Sequence, residues 1–402
     1  MKNGGAGMKG FLKGFIFQVM MLFAILTFIS VTCQASQDAP ETPPKGVPAA
    51  TNPPVGPPGS PEKPASKIEE MGYGDYKGVI HAHSYLSHDS WGTPARVIQA
   101  AKTAGIDFIL MTDHPSPYSV NHGLTGFHGG ILFLPGAEIT RDGGNFLGLD
   151  LKENVAAKDR QGVIDETHAQ GGIAALSHLE DFPDFNIERF DGMEIYNTHY
   201  DAILDGKIDK TIALVPLLSK DPDRVWLSIL DKPTYYLKIW DEILKKQRAT
   251  GFAANDSHEN VIYNGYQLDT YERSYGLVST HLFLMELNEA GVLDAFKKGH
   301  AYVCFDVFGA CRGFSLTATD GKTVAIMGDE FTLDPKTPSK LDVSVPDDAK
   351  IQLLKDGAVI QETTGKTLSI DLKEKGVYRV EAYKSKGKKN LQWIFSNPIY
   401  VR

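Results

Sequence analysis

Gly78-Val79-Ile80-His81-Ala82-His83 is a short apolar run that ends on two histidines, and its reading decides the fold. It describes a short buried strand, and residues two apart at its end point to one side. Downstream, Thr93 reads as a helix cap with Pro94 at the first helical position. Val97, Ile98, Ala101 and Ala104 give that helix one apolar face, and Gly105 stops it. Residues 106–112 are the next strand. Further strands are expected at 131–139, 173–177, 192–197, 251–255 and about 277–285, and helices at 160–169, 234–247 and 288–298. Strand, helix, strand in this order predicts parallel pairing.

The flanks differ from this middle. Lys2, Lys9 and Lys13 precede an apolar run from Phe15 to Val31, followed by Thr32-Cys33-Gln34-Ala35-Ser36. A positive region, an apolar region and a small-residue exit describe an export signal over residues 1–35. Three fates stay open: cleavage after Ala35, an uncleaved anchor that tethers the chain to a membrane, or lipidation at Cys33. Each places the rest in the periplasm or outside the cell. Residues 36–67 form a linker in which proline recurs, with doublets at Pro43-Pro44, Pro53-Pro54 and Pro57-Pro58. Such a stretch favours an extended, semi-rigid tether.

Residues 68–312 carry the alternating strand and helix signals. From 313 to 402 the pattern changes to short alternating runs, at 341–345, 350–354, 368–372 and 378–383, parted by turn signals such as Asp356-Gly357. These runs predict a small β-sandwich. Beyond the signal only Cys304 and Cys311 remain, either paired or as two buried thiols. The formal charge is -9 and no basic block occurs, which argues against a dedicated nucleic-acid binder.

The chemistry lies in where metal-competent residues fall. His81 and His83 end the first strand and His114 follows the second. Glu138 ends the third, His178 the next, His199 follows residues 194–198, and Asp256 and His258 end another. In a parallel α/β barrel the carboxyl ends of the strands share one face, so residues far apart in sequence would converge there. A lone histidine is more often a core or surface residue than a ligand; six strand ends bearing ligand types argue for a metal cluster. Imidazole and carboxylate suit zinc, iron or manganese, with no thiolate to demand a soft ion.

The motifs His81-x-His83, Thr112-Asp113-His114, Gly136-x-Glu138-Ile139, Ser177-His178 and Asp256-x-His258, in that order, resemble the PHP superfamily, named for polymerase and histidinol phosphatase domains. The likeness covers roughly residues 76–310. It implies a distorted (β/α)7 barrel that binds two to three divalent ions. Residues 376–381 and 393–401 resemble a subgroup that includes carbamate-insecticide hydrolases. By position, the resemblance gives a first ion to His81, His83, Glu138 and Asp256. Glu138 bridges to a second ion with His178 and with His199 as a further ligand, and Asp89, His114 and His258 hold the third. The usual acidic slot after His-x-His is ambiguous here, because Ser87-His88-Asp89 offers His88 or Asp89 depending on the direction of counting. A spacing of eight from the first histidine, found in some relatives, selects Asp89.

These residues predict a hydrolase in which hydroxide held by the ions of the Glu138 and Asp256 centre attacks phosphorus. The substrate expected is a small phosphate ester or a nucleotide, with Arg141, Arg273 and His281 as candidate contacts. Each of these three has an equally good reading as a solvated charge or packed ring. His122, His128, His168 and His300 are expected to have no catalytic role. Asp113 is a candidate to orient a ligand. Trp226, Tyr235, Tyr236 and Trp240 either wall a pocket or pack a core. Two rivals stand beside the phosphoesterase: attack on a carbamate or carboxylic ester by the same ions, and a non-catalytic surface protein stabilised by metal.

Overall fold

The computed structural model describes residues 67–198, 230–263, 266–267, 269–386 and 389–402. The export signal or anchor, the proline-rich linker up to Ser66, His199 and Trp226 lie outside the described residues.

Eight strands frame the middle of the chain: β1 (Gly74–Ala82), β2 (Phe108–Leu110), β3 (Ile131–Leu134), β4 (Gly136–Arg141), β5 (Gly144–Leu149), β6 (Ile173–Ser177), β7 (Gly192–Asn197) and β8 (Thr250–Ser257). β1 lies parallel to both β2 and β8, and β2 is parallel to β3. β3 passes through Pro135 into β4, whose Glu138 N–H donates to Thr112 O just beyond β2. β4–β5 and β5–β6 pair antiparallel, while β6–β7 and β7–β8 pair parallel. β3 and β5 to β8 are buried along their whole length, as strands covered on both faces must be.

The expectation of parallel pairing fails at the expected strand about 277–285, which pairs antiparallel with β1, and at β4–β5–β6, where a local cause is visible. Asp142 and Gly143 both have positive φ, 47° and 70°, and form a two-residue turn that folds β5 directly back on β4. The helices follow their caps. α1 is the single turn Lys67–Glu70. α2 (Pro94–Ala104) starts where Thr93 accepts from Arg96 N and ends at Gly105 in the left-handed region. α3 (Arg160–Ala169) is capped by Asp159, α4 is Thr234–Leu244, α5 (Tyr271–Tyr275) is capped by Thr270, and α6 (Glu289–Lys298) by Asn288.

β9 (Ser279–Leu284) pairs antiparallel with β1, and β10 (Ala301–Cys304) with β9. The last segment holds β11 (Ser315–Thr319), β12 (Lys340–Lys355), β13 (Ala358–Asp371), β14 (Gly376–Lys386), β15 (Lys389–Ser396) and β16 (Ile399–Val401). The runs at 341–345 and 350–354 are one strand, β12, with its register broken between Ser344 and Ala349 around Pro346. β15 pairs with β10, Tyr302 opposite Ser396, so hydrogen bonding continues from the sheet of β1 into the last segment. One apolar cluster joins Phe146, Ile195 and Trp240 to Tyr383, Phe395 and Tyr400. The whole is mixed α/β and mostly strand. Cys304 and Cys311 form a disulfide.

Candidate metal centre

Three residues of the centre have an unusual backbone. His81, His178 and Asp256 sit at φ 67°, 47° and 48°. The left-handed region costs a non-glycine residue about 1–2 kcal/mol, and it persists only where surrounding structure enforces it. At His81 the β1–β8 register shifts between Ile80 and Ala82. His81 in β1 and His83 just past it thus converge through a local irregularity, not through plain strand alternation.

The side chains meet closely. His81 Nε2 lies 3.4 Å from Glu138 Oε2 and 3.3 Å from Asp256 Oδ1. His83 Nε2 lies 3.4 Å from each of the same two oxygens. The other oxygens turn toward His178, whose Nε2 is 3.0 Å from Glu138 Oε1 and 3.6 Å from Asp256 Oδ2. His114 Nδ1 is 3.5 Å from Glu138 Oε2. Asp89 Oδ2 faces His114 Nε2 at 3.2 Å and His258 Nε2 at 3.6 Å. His83 and His258 stack at 4.0 Å.

Three of these atoms, His81 Nε2, His83 Nε2 and Asp256 Oδ1, are buried without a hydrogen-bond partner. An unsatisfied buried polar atom is costly, and three aimed at one point call for a common ligand. Nitrogen and oxygen ligands ~2.1 Å from one cation at tetrahedral angles stand about 3.4 Å apart. The 3.3–3.4 Å separations of His81, His83, Glu138 and Asp256 match that spacing, so this donor set fits a divalent cation. More loosely, the candidate ligand atoms of His83, His114 and His258, and those of His88, Asp89 and His114, lie within 4.8 Å of one another.

Without a cation the charges balance one another. Burial alone would lower His81, but Asp256 and Glu138 outweigh it and raise it to about 10. Burial, with the His258 ring beside it, pushes His83 down to about 3. Burial works against ionised Glu138 and Asp256, yet His81 and its neighbours hold both well below the usual carboxylate range. Burial likewise opposes a charged His178, and its bond to Glu138 raises it all the same.

Behind the imidazoles stand further residues, among which the sequence reading singled out Asp113 but not Glu194 or Tyr271. Glu194 Oε2 accepts from His81 Nδ1 at 2.9 Å, and its Oε1 accepts from Asn197 Nδ2 at 2.8 Å. Carboxylates behind ligand histidines fix the ring and its tautomer. Glu194 escaped notice because it stands inside β7 and not at its end. The nearby register shift against β8, between Glu194 and Tyr196, is a structural feature with no sequence signal. Asp113 accepts from Ser84 N, Ser84 Oγ and Ser87 Oγ, and pins the turn after β1. Ser87 Oγ in turn accepts from His114 N and lies 3.1 Å from His83 Nδ1. Tyr271 donates to His83 O at 2.6 Å.

The remaining candidates fall elsewhere or at the rim. His88 is 80% exposed, 3.8 Å from Asp89 Oδ2. Arg141 donates to the carbonyls of Ala157, Thr140 and Val155, which anchors it beside the β4–β5 turn. Arg273 donates to Gln267 O. His281 is buried against Asp75 and Tyr302, level with Lys77 and so away from the histidine end of β1. His168 and His300 pair with Asp191 and Asp329, His128 with Thr125 O, and His122 lies beside Tyr118. Trp240 is core, Tyr235 is exposed, and Tyr236 reaches Glu180.

Fold and site together define a mixed α/β protein with a buried histidine–carboxylate centre suited to divalent cations. No protein-family model matches the chain, and no curated protein matches its sequence. Among solved structures, one described as a two-domain protein containing a predicted PHP-like metal-dependent phosphoesterase, from Bacteroides vulgatus, is similar over 81% of this chain and 96% of its own, at 16% identity and a TM-score of 0.42. A likeness of that degree adds nothing to the reading of the site, which stands on its own geometry.

Proposed function

We propose that this protein is a metal-dependent hydrolase of phosphate esters, using two or three divalent ions of zinc, iron or manganese at the centre just described. The observation that carries this reading is the convergence of His81, His83, Glu138 and Asp256 on one point with ligand atoms left unpartnered. The strand circuit from β1 through β8 is read as the distorted barrel of the PHP superfamily. The resemblance of the motifs to that superfamily is the ground for choosing a phosphate ester, with a carbamate or carboxylic ester as the rival bond.

His81, His83 and Asp256 would hold the first ion. Glu138 presents one oxygen to that group and the other to His178, which suits a bridging carboxylate. Asp89, His114 and His258 would hold a third ion at the more open edge. Bound there, divalent ions would lower the pKa of a water from 15.7 to about 7 and offset charge on phosphoryl oxygens. The chain's own part is to fix the donors. Glu194 keeps the His81 proton on Nδ1, and the Ser87–Asp113 pair holds the turn that carries His83.

Elemental analysis of the purified protein should find two or three divalent ions per chain. Paired assays on an aryl phosphate and an aryl carbamate should show turnover of the phosphate; turnover of the carbamate alone overturns the assignment. Asp256→Asn should lose more than about 100-fold in activity, beyond the loss usual for an outer partner, with its circular dichroism unchanged. Unfolding of that variant, with no activity in the parent, would instead mark a structural metal.

A further inference from the structure

We propose that Tyr236 and Glu180 position His178, so that a helix outside the strand framework sets how well the ion site shared by His178 and Glu138 is formed. The inference rests on the metal reading above and adds positioning residues to it.

The other buried imidazoles are supported by the strands and turns that carry the site. Glu194 of β7 stands behind His81 at 2.9 Å, Ser87 stands 3.1 Å from His83 Nδ1, and the Asp256 carbonyl lies 3.0 Å from His258 Nδ1. His178 differs. It lies one residue past β6 at φ 47°, where the strand ladder has ended. Its Nε2 faces Glu138, and its Nδ1 faces Glu180 Oε1 at 3.4 Å. Glu180 sits in the short 3-10 turn Leu179–Asp181. The anchor comes from elsewhere: Tyr236 on α4 donates its hydroxyl to Glu180 Oε2 at 2.8 Å.

α4 is itself held firmly. Trp240 donates to Ala249 O at 2.9 Å, and its ring fills the space that a side chain at Gly251 would need. Arg379, on β14, grips both oxygens of Asp241 at 2.6 and 2.8 Å. A chain of contacts therefore runs from the last segment through α4, Tyr236 and Glu180 to His178. A carboxylate behind a ligand histidine keeps the proton on the far nitrogen and aims the near one. Tyr236 secures that carboxylate from 56 residues away.

The test is calorimetric titration of manganese into the metal-free full-length protein. Tyr236→Phe removes only a hydroxyl. It should weaken one class of ion about 10–100-fold and leave the tightest class unchanged. Glu180→Gln should reproduce the effect, and Tyr235→Phe on the exposed neighbour should not. A Tyr236→Phe titration identical to the parent overturns the positioning role alone, as does an equal loss at every class with a lowered Tm. A parent protein that binds no ion overturns the proposed function as well.

Discussion

At His81 a proton and a cation compete for one nitrogen. Burial favours the neutral ring, yet Asp256 and Glu138 hold it protonated up to about 10, against 6.5 in a free chain. A histidine raised in the folded state stabilises most fully below its unfolded value, and that contribution is lost as pH climbs through the folded one. His83 has the opposite sign. Lowered to about 3, it contributes above about 6.5 and loses that contribution as pH falls. The depressed Glu138 and Asp256 also fail on the acid side. The metal-free protein should therefore melt at steadily lower temperature from pH 6.5 to 10. The loaded protein should hold its Tm over that range, because the cation stands where the His81 proton stood. Metal uptake near neutral pH should release protons, read by calorimetry in two buffers of different ionisation enthalpy. A flat melting profile without metal, and no proton release, would mean that His81 does not face these carboxylates.

The loop from β1 to α2 shows what an element must do to hold a site. Tyr85 N donates to Gly92 O, closing residues 85–92, and Asp89 rides inside that loop. A Cβ on Gly92 would lie 1.9 Å from the hydroxyl of Tyr271, a fully buried ring that also holds His83 O. The ring has no free end to swing away, so Gly92→Ala should cost about 1–3 kcal/mol in urea unfolding and weaken metal binding measurably. Unchanged stability and affinity would show that the loop yields freely. How far such elements are legible varies with their cause. α2 was readable because Thr93 and Gly105 are local signals, and the bounds of β6 follow from an apolar run. The strand-end histidines and acids were readable as a set because each is a chemically distinct residue after such a run. The β4–β5 hairpin had its signal in Asp142-Gly143, but the alternation of strand and helix around it outweighed two residues. The bulges at Ile80–Ala82 and Glu194–Tyr196 arise from pairing between distant strands, and no neighbouring residue announces them.

On the scale of the molecule, the last segment is a structural partner of the part that carries the histidine–carboxylate centre. Asn397 accepts from Gly251 N at 2.8 Å and donates to Gly251 O at 2.9 Å and Ala301 O at 3.0 Å. Gly251 lies near the start of β8, the strand that carries Asp256, so a side chain beyond residue 313 completes the backbone bonding of a site strand. Arg379, buried between Asp241 and Glu381, ties β14 to α4. Cutting the chain after Arg312 would strand Asp241 and the Gly251 amide, each without its buried partner. It would also expose the apolar surface around Tyr196 and Phe305 that Phe395 and Tyr383 cover. A buried polar group left unpaired costs about 1–3 kcal/mol, and breaking a buried ion pair about 3–5 kcal/mol. Those losses alone approach the 5–15 kcal/mol that holds a typical protein folded. Residues 68–312 expressed alone should therefore be insoluble or molten. In the intact protein, metal release and the fluorescence change of Trp393 should follow one unfolding curve, since coincident probes mark a single cooperative unit. Two separated transitions, or a soluble 68–312 fragment that binds manganese as the whole chain does, would show that the metal-bearing part stands without its neighbour.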